Sequence, residues 1–138
     1  MKQYKELSIQ TSGERFYPIT DLIQKELKDS KITHGMLTLF CPHTSCALCV
    51  NEDYDPSARE DMQEFLKHLA PRNLKLITHT DEGPDDSPSH LKSILLQPSL
   101  HFIIDQGSLV MGQWQGIFLA EFRDAPKTRK IYFKSFEC

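Results

Sequence analysis

The sequence of 138 residues predicts an α+β fold. It reads as one domain, residues 1–138, built on a large, mostly antiparallel β-sheet or sandwich with about three helices. Three observations predict this. Strand-like and helix-like segments are mixed without the regular alternation of a doubly wound sheet. Four strand-like segments follow one another from about residue 100 to residue 136, with turn signals at Gly107 and Ala125-Pro126. The length fits one domain, and a chain this long buries roughly 68–70% of its unfolded surface, so no disulfide is needed to hold it.

Residues 4–11 alternate, with Leu7 and Ile9 on one face and Glu6, Ser8 and Gln10 on the other, the pattern of a half-buried strand. Thr20 is placed to cap a helix carrying Leu22, Ile23 and Leu27 and ending near residues 29–31. Residues 36–40 form a strand that Pro42, with no N–H for a ladder, brings to an end. A short strand covers about 46–50. Asp55-Pro56 offers a capping acceptor followed by a pre-set first helical residue, and Ala58, Met62, Phe65, Leu66 and Leu69 follow at helical spacing. Residues 74–78 read as a strand. Ser87-Pro88 repeats the cap-and-proline start for a short helix with Leu91, Ile94 and Leu95 as its apolar stripe, closed by Pro98. Strands follow at about 100–104, 108–112, 115–123 and 129–136. In the third, Gln113, Gln115, Ile117, Leu119, Glu121 and Arg123 share one face, and Phe118, Ala120 and Phe122 the other. Large apolar groups on both faces make it a central strand.

A net charge of −3 argues against a broad nucleic-acid surface, which is basic. No apolar run approaches the ~18 residues of a membrane span. The opening MKQYKELSIQ lacks the apolar core of a signal peptide, so the expected location is cytoplasmic, with neither membrane nor nucleic acid as a partner. Cys46 and Cys49 have CxxC spacing, but on a strand residues three apart point to opposite faces. No second CxxC completes a four-cysteine zinc site, so these cysteines read as packing residues.

The densest chemistry lies in HTDEGPDDSPSH, residues 79–90, where two histidines bracket Asp81, Glu82, Asp85 and Asp86. If Ser87 is the cap, His90 sits in the first helical turn, where the positive helix end favours a neutral ring ready to bind metal. His79 and His43 follow strand ends. Three histidines from separate elements can share one metal with an open position, as catalytic zinc sites do, although the spacing does not force them together. Asp85 and Asp86 are better placed to orient histidines or substrate than Asp81 or Glu82. Glu121 is a carboxylate in an apolar row that needs a partner to stay charged, with Arg123 two residues along; it reads as a structural ion pair or as a catalytic base. In HTSCALCVNEDYDP, residues 43–56, Thr44 and Ser45 offer hydroxyls suited to holding phosphate, and no G-x-S-x-G elbow surrounds Ser45.

Together HTSCALCVNEDYDP, HTDEGPDDSPSHLKS and GQWQGIFLAEFR resemble the YjbQ-type family of secondary thiamine-phosphate synthases, in matching order across nearly the whole chain. The resemblance implies an α+β fold usually assembled as a homotrimer. It implies a metal-associated pocket with His43, His79 and His90 as ligands to a divalent ion, zinc and magnesium both remaining open. It places Asn51, Glu52, Asp86, Gln115 and Glu121 on the family's polar pattern. It further implies a reaction in which an aminopyrimidine methylene diphosphate joins a thiazole phosphate with release of pyrophosphate. Glu121 and Asp86 would act in catalysis, and Thr44, Ser45, Asn51, Glu52, Gln115 and Arg123 would hold a phosphorylated small-molecule substrate. A metal-dependent hydrolase and a non-catalytic trimeric ligand-binding protein remain open on the same scaffold.

Overall fold

The computed structural model describes residues 1–138. Its elements are β1 (Lys5–Thr11), β2 (Arg15–Pro18), α1 (Thr20–Ser30), β3 (Gly35–Phe40), β4 (Cys46–Glu52), α2 (Pro56–Leu69), α3 (Asp86–Ser93), β5 (Ser99–Asp105), β6 (Ser108–Leu109), β7 (Gln115–Glu121) and β8 (Lys127–Glu137). The strands form two antiparallel sheets, one ordered β1-β8-β3-β5-β6 and the other β2-β7-β4. No helix is long and apolar enough to cross a membrane.

Strand alternation builds the core. Leu7 and Ile9 of β1, Leu37 and Leu39 of β3, Phe102 and Ile104 of β5, and Ile131 and Phe133 of β8 project from one face of the five-stranded sheet. They meet Ile23 and Leu27 of α1, and Leu48, Ile117 and Leu119 of the three-stranded sheet. The other face of that smaller sheet presents Phe16, Phe118, Ala120 and Phe122 to Leu66 of α2. β7 is therefore covered on both faces, as its two apolar rows predict. Cys46 faces the larger cluster and Cys49 packs on the smaller, so the CxxC pair is split between faces.

The structure differs from the sequence reading in five places. β2 is an additional strand, paired with β7 from Arg15↔Glu121 to Pro18↔Phe118. The N-cap of α1 is Ile19, and the Thr20 hydroxyl instead accepts the Ile117 N–H at 2.8 Å. Residues 74–78 are not a strand: no neighbouring ladder is available to them, and the Leu74 and Ile77 N–H groups close local turns onto Pro71 and Leu74. α3 begins at Asp86 with Asp85 as its cap, so His90 lies in its last turn and the helix-start argument for a neutral ring does not apply. The expected apolar stripe of α3 also faces outward. Ile94 and Leu95 are exposed, whereas Asp86, Ser89 and Lys92 are buried.

Candidate metal centre and its cleft

The chain crosses between the two sheets at β3–β4 and again at β7–β8, and the candidate site forms where these crossings meet α3. A buried ion pair fixes the corner. Glu121 ends β7, and Arg129 lies near the start of β8 in the other sheet. Arg129 donates to Glu121 from Nε at 2.7 Å and from Nη2 at 2.6 Å. Glu121 also accepts the Thr11 hydroxyl at 2.6 Å and the N–H groups of Phe122 and Arg123 at 3.0 and 3.2 Å. Burial alone would raise the Glu121 pKa, but the Arg129 and Thr11 hydrogen bonds and the Arg129 charge outweigh it and hold the carboxyl below its usual range. With zero exposure and five hydrogen bonds, Glu121 is a structural carboxylate joining the sheets rather than a base open to substrate. Its side-chain partner is Arg129, not Arg123. Arg129 was legible as a charged residue in the alternating phase of Ile131 and Phe133, the buried row of β8. Arg129 Nη2 also donates to Ser45 Oγ at 2.8 Å, so Ser45 is buried in this corner instead of lining a substrate cleft.

Arg123 turns the other way, onto the acidic loop. Its Nε donates to Asp85 Oδ2 at 3.0 Å, Nη1 to Asp86 Oδ1 at 2.6 Å and Nη2 to the Glu82 carbonyl at 3.1 Å. These bonds commit Arg123 to positioning Asp85 and Asp86, in place of the substrate contact expected of it. Asp86 is buried, and its second oxygen is shared by two imidazoles: His79 Nε2 at 2.8 Å and His90 Nε2 at 3.1 Å. Burial would raise the Asp86 pKa. The His79 hydrogen bond, then His90 and Arg123, reverse this and keep it a carboxylate.

The His90 ring is oriented by the β3–β4 crossing. His90 Nδ1 lies 2.7 Å from the Thr44 carbonyl oxygen, which can only accept, so Nδ1 carries a proton. With Nδ1 protonated, Nε2 faces Asp86 Oδ2 at 3.1 Å, and that contact needs positive charge on Nε2: either a proton, which makes the ring an imidazolium, or a bound metal ion. One ligand atom from each of His79, Asp86 and His90 lies within 4.8 Å of the others. Ligand atoms on a single tetrahedral zinc ion are separated by roughly 3.3 Å, and the separations of His79 Nε2 and His90 Nε2 from Asp86 Oδ2, 2.8 and 3.1 Å, are near that value. The bond from Nδ1–H to a backbone carbonyl is the usual support for a metal-ligating histidine.

His43 is not part of that trio. Its Nε2 accepts the backbone N–H of Lys130 at 2.9 Å. It shares with Thr44, His90, Ser93, Ile94, Leu96 and Pro98 the lining of an open cleft of about 690 Å³. His79 lines a second cleft of about 340 Å³ with Arg72, Thr80, Gly83 and Ser87. The two imidazoles on Asp86 thus face separate clefts.

Asn51, Glu52 and Gln115 lie elsewhere. In the β4–β7 ladder Glu52 is opposite Gln115, whereas Cys46 is opposite Glu121. The length of strand between them places that end roughly 20 Å from the corner. Local bonds occupy all three side chains: Asn51 Oδ1 accepts the Glu52 N–H, Glu52 accepts from Tyr54 and Asp55, and Gln115 Oε1 accepts from Gly112. Within one chain they cannot join the Asp86 cluster.

The comparisons agree with this architecture. The family model described as "UPF0047 protein YjbQ-like" matches residues 5–138. The UPF0047 protein YjbQ of Escherichia coli O157:H7 is 38% identical over 128 residues, covering 92% of each chain. The UPF0047 protein YugU of Bacillus subtilis is 35% identical over 131 residues, covering 94% of this chain and 96% of the relative. A crystal structure of a YjbQ/UPF0047-family protein from Clostridium acetobutylicum superposes with a TM-score of 0.87 at 34% identity, covering 96% of this chain and 99% of the other. The conserved hypothetical protein TT1486 from Thermus thermophilus gives 0.85 at 35% identity, with the same coverage. With this match over nearly its whole length, the chain belongs to the YjbQ/UPF0047 family.

Proposed function

We propose that this protein is a divalent-metal-dependent enzyme acting on a phosphorylated small molecule, with His79, Asp86 and His90 as its ligands. The observation that carries the reading is the convergence of two Nε2 atoms on one buried carboxylate oxygen, with His90 fixed through Nδ1 on the Thr44 carbonyl. Two imidazoles and a carboxylate favour zinc over magnesium, which prefers an all-oxygen shell. The bound ion would act as a Lewis acid toward a phosphate oxygen. Asp86 balances its charge, Arg123 and Asp85 hold the loop, and the cleft beside His43 and Thr44 receives the substrate. The reaction best supported by the family resemblance is thiamine-phosphate synthesis, joining an aminopyrimidine methylene diphosphate to a thiazole phosphate with release of pyrophosphate.

Metal-loaded protein given those two precursors should form thiamine phosphate, and His79→Ala or His90→Ala should abolish it. Formation at the wild-type rate in both variants would overturn the assignment. A metal-dependent hydrolase is the second reading, favoured because three ligands leave a zinc position open for water. It predicts turnover in phosphatase or esterase screens. We further propose a homotrimer in the cytoplasm. Exposed Tyr54, Phe65, Ile94, Leu95 and Trp114 support assembly, since apolar side chains in such number commonly mark contact surfaces.

A further inference from the structure

We infer that His43 is a neutral hydrogen-bond donor to an anionic oxygen of the substrate, acting through Nδ1–H across the cleft from His90, and is not a metal ligand. The inference deepens the proposed function and rests on it for the kind of substrate. The backbone of β8 decides the tautomer. β3 pairs with β8 only from Phe40↔Tyr132 onward, and the chain leaves the sheet at Cys41-Pro42. The Lys130 N–H therefore has no β3 residue to receive it, and His43 Nε2 takes that place at 2.9 Å. A backbone N–H only donates, so Nε2 holds the lone pair and the neutral ring carries its proton on Nδ1.

Metal binding needs a free lone pair, which this ring lacks. The lone pair on Nε2 is engaged by Lys130, and Nδ1 is protonated. Burial, followed by the charge of Arg129, lowers the His43 pKa, so the ring stays neutral near pH 7. Nδ1 has no hydrogen-bond partner within the chain, and His43 lines the cleft that His90 also lines. The Ser93 hydroxyl in the same wall is spent on the Ser89 carbonyl at 2.8 Å. Ile94, Leu96 and Pro98 are apolar, so besides His90 the wall's donors are the His43 N–H and the hydroxyl of the adjacent Thr44. A phosphate or pyrophosphate oxygen would thus meet the His43 N–H on one side and the metal-bearing cluster on the other.

The test combines long-range ¹H–¹⁵N spectra of the full chain, with and without zinc, with calorimetric titrations of zinc and pyrophosphate. The expected spectrum shows His43 as the Nδ1–H tautomer, with its ring nitrogens unmoved by zinc. His43→Ala should keep wild-type zinc affinity, whereas His90→Ala should lose it. Pyrophosphate affinity should fall about tenfold in His43→Ala. It should recover in part in His43→Asn, whose amide places a donor near the Nδ1 position. An Nε2–H tautomer, zinc coordination at His43, or unchanged pyrophosphate binding in His43→Ala would each overturn the inference. A wild-type protein that binds no zinc would defeat the proposed function instead, and the tautomer and pyrophosphate results would still decide the role of His43.

Discussion

Asp86 organises the site because both of its oxygens are committed, one to Arg123 and one to the two imidazoles. Removing His90 takes away a ligand, and removing Arg123 frees the carboxylate to rotate. His90→Ala should therefore lower zinc affinity by more than about 100-fold, and Arg123→Leu by about 10–100-fold, the range seen for supporting residues, in competition titrations with a chelating dye. Glu121 and Arg129 make the other decisive pair. Glu121→Gln leaves Arg129 buried without its counter-charge and should cost about 3–5 kcal/mol in urea unfolding at pH 7. Because the Glu121 pKa is depressed in the folded state, its contribution is complete above the ordinary glutamate value of 4.5 and is lost as pH falls through the depressed one. Stability of the wild type should thus decline below pH 4.5 more steeply than that of Glu121→Gln. Parallel acid limbs in the two proteins would contradict this.

At the scale of elements, α3 is held by polar contacts where an apolar stripe would be expected. Lys92 reaches inward to Glu14 in the β1–β2 turn, and both side chains are largely buried. Beyond its C-terminus, Leu48 N–H donates to the Gln97 carbonyl at 2.8 Å and Gln97 returns the bond at 3.2 Å, tying the following segment to β4. Both contacts anchor the C-terminal end of the helix that carries Asp86 and His90, and Arg123 holds its start through Asp85 and Asp86. Lys92→Met should destabilise by about 3–5 kcal/mol by stranding Glu14, and Lys92→Met/Glu14→Leu should recover much of that loss. Urea unfolding of the three proteins gives the comparison. α2 is simpler. Asp55 Oδ1 accepts the Ser57 N–H at 2.9 Å, and Asp55→Ala should cost about 1 kcal/mol.

For the whole molecule, the apolar surface is the main unpaired feature. Phe65 and Leu69 of α2 and Leu95 and Leu96 beyond α3 line a groove of about 290 Å³. Two charges set into it, as in Phe65→Glu/Leu95→Glu, should shift the proposed trimer toward single chains in light scattering while the helix and sheet content of the spectrum is kept. A trimer unaffected by both charges would place its contacts on another face. Assembly is also the route by which the Asn51–Glu52–Gln115 end of one chain could approach the Asp86 cluster of another, since roughly 20 Å of strand separates them within a chain.

The sequence alone determined the elements whose signal is local. The alternation of Leu7 and Ile9, the Asp55-Pro56 start and the two apolar rows of β7 each follow from backbone geometry and solvent contrast. His79 and His90 were legible as ligand candidates, and Asp86 as a carboxylate that orients them, because they lie close together along the chain; the same reading also counted His43 among the ligands. Only the tertiary structure decided what depends on distant partners. Residues 74–78 carry strand-like residues but have no ladder to join. Glu121 had a plausible neighbour in Arg123, yet chain reversal at residues 122–126 brings Arg129 to it instead. His43 resembled its fellow histidines in type and strand-end position until the orphan N–H of Lys130 engaged its Nε2. A side chain's charge and shape are written in the sequence, but the group that takes its lone pair or proton is set by where the folded chain places its neighbours.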